Sequence, residues 1–281
     1  MKRSLYHFTG STLRDGSPIP EQLSRTERLF IPERRWKRNH PRRQLRERNQ
    51  TRTKEKGNEA MQTNEQERRM TLHVDGAWRQ LAGEELEREL NRQRINIHPE
   101  AVIHPMARIG AHTIISGGAM IEAGATVGEW TLVSAYARVG FVSRIGDFCR
   151  VLEDADIEQS CSVANGCYIG KAVKVGSFSN IRKSVALYNE TLVSDNVTIG
   201  EGCEIGPHAS IGEGTKVGNY VYIGDKSDIA ANCILLHGAY VSHNAKVGGG
   251  ATLERWARVE WKATIDAGKT VSSGCVVQAN H

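Results

Sequence analysis

The stretch VSDNVTIGEGCEIGPHASIGEGTKVGNYVYIGDKSDI, Val193 to Ile229, carries an aliphatic residue at every sixth position: Val193, Ile199, Ile205, Ile211, Val217, Ile223 and Ile229. Followed outward, the step of six runs from Ile97 to Val277 and meets Ile, Leu or Val at all 31 positions. No residue is inserted or lost on the way. A period of six suits neither an amphipathic helix nor a single alternating strand. It suits a solenoid whose short strands are joined by corners, with one unit per repeat.

The hexad has an internal pattern. Two residues before each aliphatic stands a small residue, as at Ala101, Ala107, Thr113, Ala119 and Thr131. One residue after it Gly is frequent, and three after it Gly or Asn recurs, as at Gly118, Asn196, Gly202 and Asn244. Gly and Asn tolerate the positive φ of a tight corner. The aliphatic and the small residue are expected to point inward, and the residue between them outward. This pattern resembles the bacterial hexapeptide-repeat family of acyltransferase-like proteins. The resemblance implies an all-β fold, a left-handed parallel β-helix shaped as a triangular prism with three hexads per turn. The chain then makes about ten coils, about 50 Å of prism at roughly 4.8 Å per coil.

Outside the repeat the chain divides in two. Residues 1–74 are expected to form a basic, disordered extension, residues 75–96 a short helix and cap, and residues 97–281 the β-helix. Between Arg34 and Lys56 there are eleven Lys or Arg and two Glu, although the whole chain is only +5. Such a segment could bind nucleic acid by phosphate neutralisation, or serve as a solvated arm. The opening Leu5-Tyr6-His7-Phe8 resembles the first residues of uncharacterised phage and prophage proteins. Leu86 and Leu90 among Glu and Arg read as an amphipathic helix over the first coil.

Aromatics are 6% of the chain, as suits a core of stacked aliphatics. No apolar run approaches the roughly 18 residues of a membrane span, and no signal peptide is evident, so a cytoplasmic location is expected. All six cysteines (Cys149, Cys161, Cys167, Cys203, Cys233 and Cys275) fall in the small inward slot, and no CxxC pair occurs. They read as small buried hydrophobes rather than metal ligands.

Residues 18 apart should stack in columns. The face that begins at Ile97 is the most apolar outward, with Ile114, Leu132, Tyr168, Tyr222 and Tyr240, and its leading corner adds His112, Trp130 and Phe148. Such a strip reads as a contact surface. The family resemblance implies a homotrimer, and this face is the candidate subunit contact.

The segment Val241-Ser242-His243-Asn244-Ala245-Lys246-Val247-Gly248 resembles the catalytic coil of hexapeptide sugar O- and N-acyltransferases. The resemblance implies acyl transfer from acetyl-coenzyme A or an acyl carrier thioester to a hydroxyl or amine of a small molecule or sugar. His243 would be the general base, and Trp261 and Gly248 would lie on the cofactor side. Column arithmetic puts Asp225 one coil below His243, where its carboxylate could orient the imidazole, and Trp261 one coil above. The chain departs from that family in carrying Ser242 where a carboxylate often precedes the histidine, and in lacking inserted loops. A γ-class carbonic anhydrase site is incomplete, because Asn232 stands five residues before His237 where a second histidine is needed. No metal is expected. The competing reading is a non-catalytic trimeric β-helix with a structural or ligand-binding role, phage-encoded if the opening resemblance holds.

Lys54-Glu55-Lys56-Gly57 necessarily has purine-rich codons ahead of Met61, as a ribosome-binding site would. A third reading of the extension is that translation starts at Met61 or Met70. Mass spectrometry of the native protein checks this, and peptides from residues 1–50 would overturn it.

Overall fold

The computed structural model describes residues 69–279. The basic segment Arg34–Lys56 and the alternative start Met61 lie outside those residues. Within them the chain opens with a β-hairpin, β1 (Arg69–Val74) and β2 (Ala77–Ala82), followed by one helix, α1 (Gly83–Arg92). Thirty-one strands of two residues follow, from Asn96–Ile97 to Val276–Val277, one per hexad. With the hairpin they form three sheets of 12, 10 and 11 strands, parallel throughout except for the antiparallel β1–β2 pair at the end of the largest. Every pair between coils is offset by 18 residues, as in Asn96↔Ile114 and Tyr240↔Arg258. The chain is thus a triangular parallel β-solenoid, as the six-residue period implies.

Each hexad places one aliphatic and one small residue in the core. Ile109, Ile157, Ile199 and Val259 are fully buried, as are Ala107, Ala137 and Ala257. Where the small residue carries a hydroxyl or thiol, that group donates to the carbonyl 15 residues ahead. Thr131 bonds Gly146 at 2.9 Å, Thr215 bonds Ala230 at 3.0 Å and Cys203 bonds Gly218 at 2.9 Å. A polar group in this slot is therefore buried but satisfied. Five cysteines are buried there, and burial pushes the Cys203 thiol up to about 11. The expectation for Cys275 is corrected, since it is exposed. Its slot lies in the last described coil, where no further coil covers it.

The corners explain the Gly and Asn pattern and extend it. From His112 to Gly274 the third residue after each aliphatic has φ between 54° and 73°, and most of these residues are not glycine. Left-handed backbone costs an L-residue about 1–2 kcal/mol. The aliphatic buried in the same hexad contributes about 1.5–3 kcal/mol, so the repeat holds Trp130, Tyr220 or Trp256 in a conformation they would otherwise avoid. Glycine is needed for another reason one residue after the aliphatic. A Cβ on Gly224 would stand 2.7 Å from the His243 nitrogen, and one on Gly248 would stand 2.4 Å from that of Ala267.

At the N-terminal end the structure corrects the expected boundaries. Residues 69–74 are not extension but strand β1, which pairs in parallel with Arg108–Ile109. The cap at 75–96 is a turn, strand β2 and then α1. Asp75 and Gly76 both take positive φ, as a two-residue hairpin turn requires. Leu72 lies beneath Ile109, and Leu81, Leu86, Leu90 and Ile95 join the same core. The hairpin and helix therefore close the first coil.

Val142 is the least comfortable corner residue, because it is β-branched at φ 58° and largely exposed. Val142→Asn should raise stability by about 0.5–1 kcal/mol, read as a higher urea midpoint at unchanged slope. A lower midpoint would show that the corner is not strained.

Candidate functional site

His243 follows the first-face strand Tyr240–Val241, at the corner leading to the second face, and is exposed. Its Nδ1 accepts a 2.9 Å hydrogen bond from the backbone N–H of Asp225. A backbone nitrogen can only donate, so Nδ1 carries a lone pair and the ring proton sits on Nε2. The structure does bring Asp225 and His243 together, but through the Asp225 main chain. No hydrogen bond joins the Asp225 carboxylate to the imidazole among the described residues, and Asp225 Oδ1 is buried without a partner.

Five other corners make the same bond across 18 residues. The N–H groups of Glu129, Asp147, Lys171, Ser177 and Glu201 donate to the side chains of Asp147, Asn165, Asn189, Asp195 and Asn219 at 2.8–3.1 Å. These acceptors occupy the same place in the hexad as His243. His243 is thus the imidazole member of a set of Asp and Asn residues that satisfy the free corner N–H of the coil below. The unpaired Asp225 Oδ1 has a related origin. The residue 18 before Asp225 is Pro207, which has no N–H to offer.

Trp261 stands one coil above, where the neighbouring Lys262 N–H donates to the His243 carbonyl at 3.2 Å. It is exposed and lies under the Lys262 ammonium at 4.2 Å. The ring that meets His243 is Tyr222, edge to face at 6.2 Å. Tyr222 stacks on Tyr240 at 4.9 Å, and the Arg258 guanidinium lies 4.5 Å from the Tyr240 ring centre. Burial raises the Tyr222 phenol, with Tyr240, Glu204 and Asp225 adding to the effect. The backbone of Gly248 is committed within the helix: its N–H bonds Ile265 and its carbonyl accepts from Cys233 and Ala251.

The second face differs in being ionic. Arg138 lies between Glu122 at 2.9 Å and Asp156 at 2.6 Å. Burial opposes its charge, yet Asp156 and Glu122 together raise its pKa. A depression of 360 Å³ opens far from His243, between the hairpin, the end of α1 and the first coils. His73, Asp75, Arg92, Gln93, Ala111 and Glu129 line it. Among the described residues no three His, Cys, Asp or Glu are grouped to hold a metal ion, and no helix is long and apolar enough to cross a membrane.

One aromatic group escaped the sequence reading. Tyr220, His237 and Trp256 cluster on the corner that leads into the first face, with ring centres 5.5 and 5.1 Å apart. A search of the left-handed corner column would have found Tyr220 and Trp256, 36 residues apart and separated by Gly238.

By its period, register and corner geometry the chain is a hexapeptide-repeat β-helix. Compared with known families, residues 187–281 match the GMPPB C-terminal domain. No curated protein sequence matches the chain. Among solved structures it is similar to the UDP-N-acetylglucosamine acyltransferase of Campylobacter jejuni, at 20% identity over 53% of this chain and 68% of that one, with a TM-score of 0.33. The Arabidopsis UDP-N-acetylglucosamine acyltransferase gives 20% identity over 63% and 67%, with a TM-score of 0.43. The polySia-specific acetyltransferase NeuO gives 10% identity over 66% and 82%, with a TM-score of 0.33. The fold assignment rests on this chain's own register rather than on these likenesses.

If His243 serves as a corner acceptor, His243→Asn should leave stability within about 0.5 kcal/mol, because Asn fills the same place at 165, 189 and 219. His243→Ala should cost about 1 kcal/mol by leaving the Asp225 N–H without its partner. Equal losses in denaturant unfolding would contradict the assignment.

Proposed function

We propose that this chain is a self-associating β-helix that binds through its surface rather than transforming a substrate, assembled as a homotrimer through the first face. The observation that carries this reading is the hydrogen bond from the Asp225 N–H to His243 Nδ1. A general base needs a free lone pair aimed at its substrate. Here one ring nitrogen is occupied and the other bears the proton. The unbroken repeat agrees, since no loop builds a pocket around that corner. The outward strip of Ile114, Leu132, Tyr168, Tyr222 and Tyr240 supplies the contact, and aromatic residues of this kind commonly anchor interfaces.

Acyl transfer is the second reading, and one observation favours it. The exposed His243 stands beside Tyr222 within a segment that resembles the catalytic coil of hexapeptide acyltransferases. Its imidazole would then release Asp225 and shift its proton to Nδ1 before taking one from an acceptor hydroxyl or amine. The donor would be acetyl-coenzyme A or an acyl carrier thioester, held near Trp261 and Gly248 with a neighbouring subunit completing the site. The first reading gives an acceptor sugar or amine no role at the His243 corner.

Two measurements on the full chain separate these readings. Light scattering should give three times the mass of one chain, falling to one on Tyr222→Arg combined with Tyr240→Glu. A monomeric wild type would overturn the assembly. Acetyl-coenzyme A should leave the thermal midpoint unchanged. An upward shift that His243→Ala abolishes would establish the acyl-transfer reading in its place.

A further inference from the structure

Tyr220 and Trp256 sit on one edge of the prism, two coils apart and therefore roughly 9.6 Å from each other along its axis. Both are exposed, each at 59%. Each lies over a glycine of the coil below. A Cβ on Gly202 would meet the Tyr220 ring at 2.6 Å, and one on Gly238 would meet the Trp256 ring at 2.4 Å. The backbone at both positions is left-handed, with φ of 55° and 60°. His237 stands nearly perpendicular to both rings and fixes their spacing. The result is a pair of aromatic rings, each backed by a glycine, on the corner that leads into the first face, above His112, Trp130 and Phe148 and away from the His243 corner.

Beside the rings runs the neighbouring corner column, Lys183, Glu201, Asn219, His237 and Arg255. These are groups that donate or accept hydrogen bonds. Asn219 Oδ1 accepts from the Glu201 N–H at 3.0 Å, which leaves the two amide N–H donors of Asn219 outside that bond. The column is close to neutral, with two fixed cations against one carboxylate.

We propose that this edge binds an extended β-1,4-linked pyranoside chain. The C–H face of a pyranose stacks on an aromatic ring, and its hydroxyls need the planar polar partners the adjacent column supplies. In such a chain every second sugar presents the same face to one side, so two rings set two coils apart meet alternate sugars. A single-stranded nucleic acid would use the same rings but would also need a run of cations for its phosphates, which this column lacks. The inference does not depend on the acyl-transfer question.

The test is native affinity electrophoresis of the full chain in gels containing hydroxyethyl cellulose, with fluorescence titration by cellohexaose. Wild-type protein should be retarded and should show saturable quenching. Trp256→Asn and Tyr220→Asn should each weaken binding about tenfold or more, while Trp130→Asn, on the lower part of the same edge, should leave it unchanged. Asn suits a left-handed corner, so these variants should unfold at or above the wild-type midpoint. Absence of retardation overturns the proposal, as does unchanged binding in Trp256→Asn. Binding of a thymidine oligonucleotide without the glycan would overturn it in favour of a nucleic-acid edge. A changed oligomeric mass in Trp256→Asn without glycan binding would overturn it in favour of a subunit contact.

Discussion

Everything in this molecule depends on the backbone ladder between coils, which closes only if each coil has 18 residues. Asn96 donates to Thr113 at 2.9 Å, Gly224 to Val241 at 2.8 Å, and the pattern repeats from the first coil to the last. An inserted residue has to be bulged out at a corner, because pairing through it would slip the register between adjacent coils and turn inward side chains outward. Buried backbone groups left unpaired cost about 1–3 kcal/mol each. The close coil spacing also explains why Gly follows so many aliphatics, since backbone of the next coil occupies the place of their Cβ. It explains the left-handed corners as well, because the chain must turn within the residues the hexad leaves free.

The same ladder governs how the candidate site should be understood. The corner N–H two residues after an inward aliphatic has no main-chain partner, and at six described corners a side chain one coil above supplies the acceptor. Asp, Asn and His243 do this in turn. At Pro207 the donor is missing, and the carboxylate above it, Asp225, has an orphan oxygen. The juxtaposition that suggested an acid–base pair is therefore produced by coil geometry. Chemistry would have to be added to that geometry by a partner or by a shift of the ring proton.

Much of the fold was legible in the sequence because one physical requirement recurs in every hexad. The inward aliphatics, the small slot, the three faces and the 18-residue columns all follow from the period. The helix over Leu86 and Leu90 was legible from its spacing. The hairpin was not found, although Asp75-Gly76 flanked by strand-like residues is a usable turn signal. Cys275 was misassigned because a slot is buried only where another coil covers it. At the site, column arithmetic named Asp225 as the neighbour of His243 but could not say which of its atoms faces the ring. The same arithmetic placed Trp261 one coil above, but could not say that the Lys262 ammonium would lie over its ring. Side-chain direction at a corner is decided by torsions that periodicity does not report.

The central claim is that His243 carries its proton on Nε2 because Nδ1 is held by the Asp225 N–H. Long-range ¹⁵N–¹H correlation spectra of the full chain with ¹⁵N-labelled histidine, recorded near neutral pH, report that tautomer directly. The account predicts an unprotonated Nδ1 and a protonated Nε2 for the resonance that disappears in His243→Asn. A protonated Nδ1 with a free Nε2 lone pair would contradict it and would restore His243 as a base.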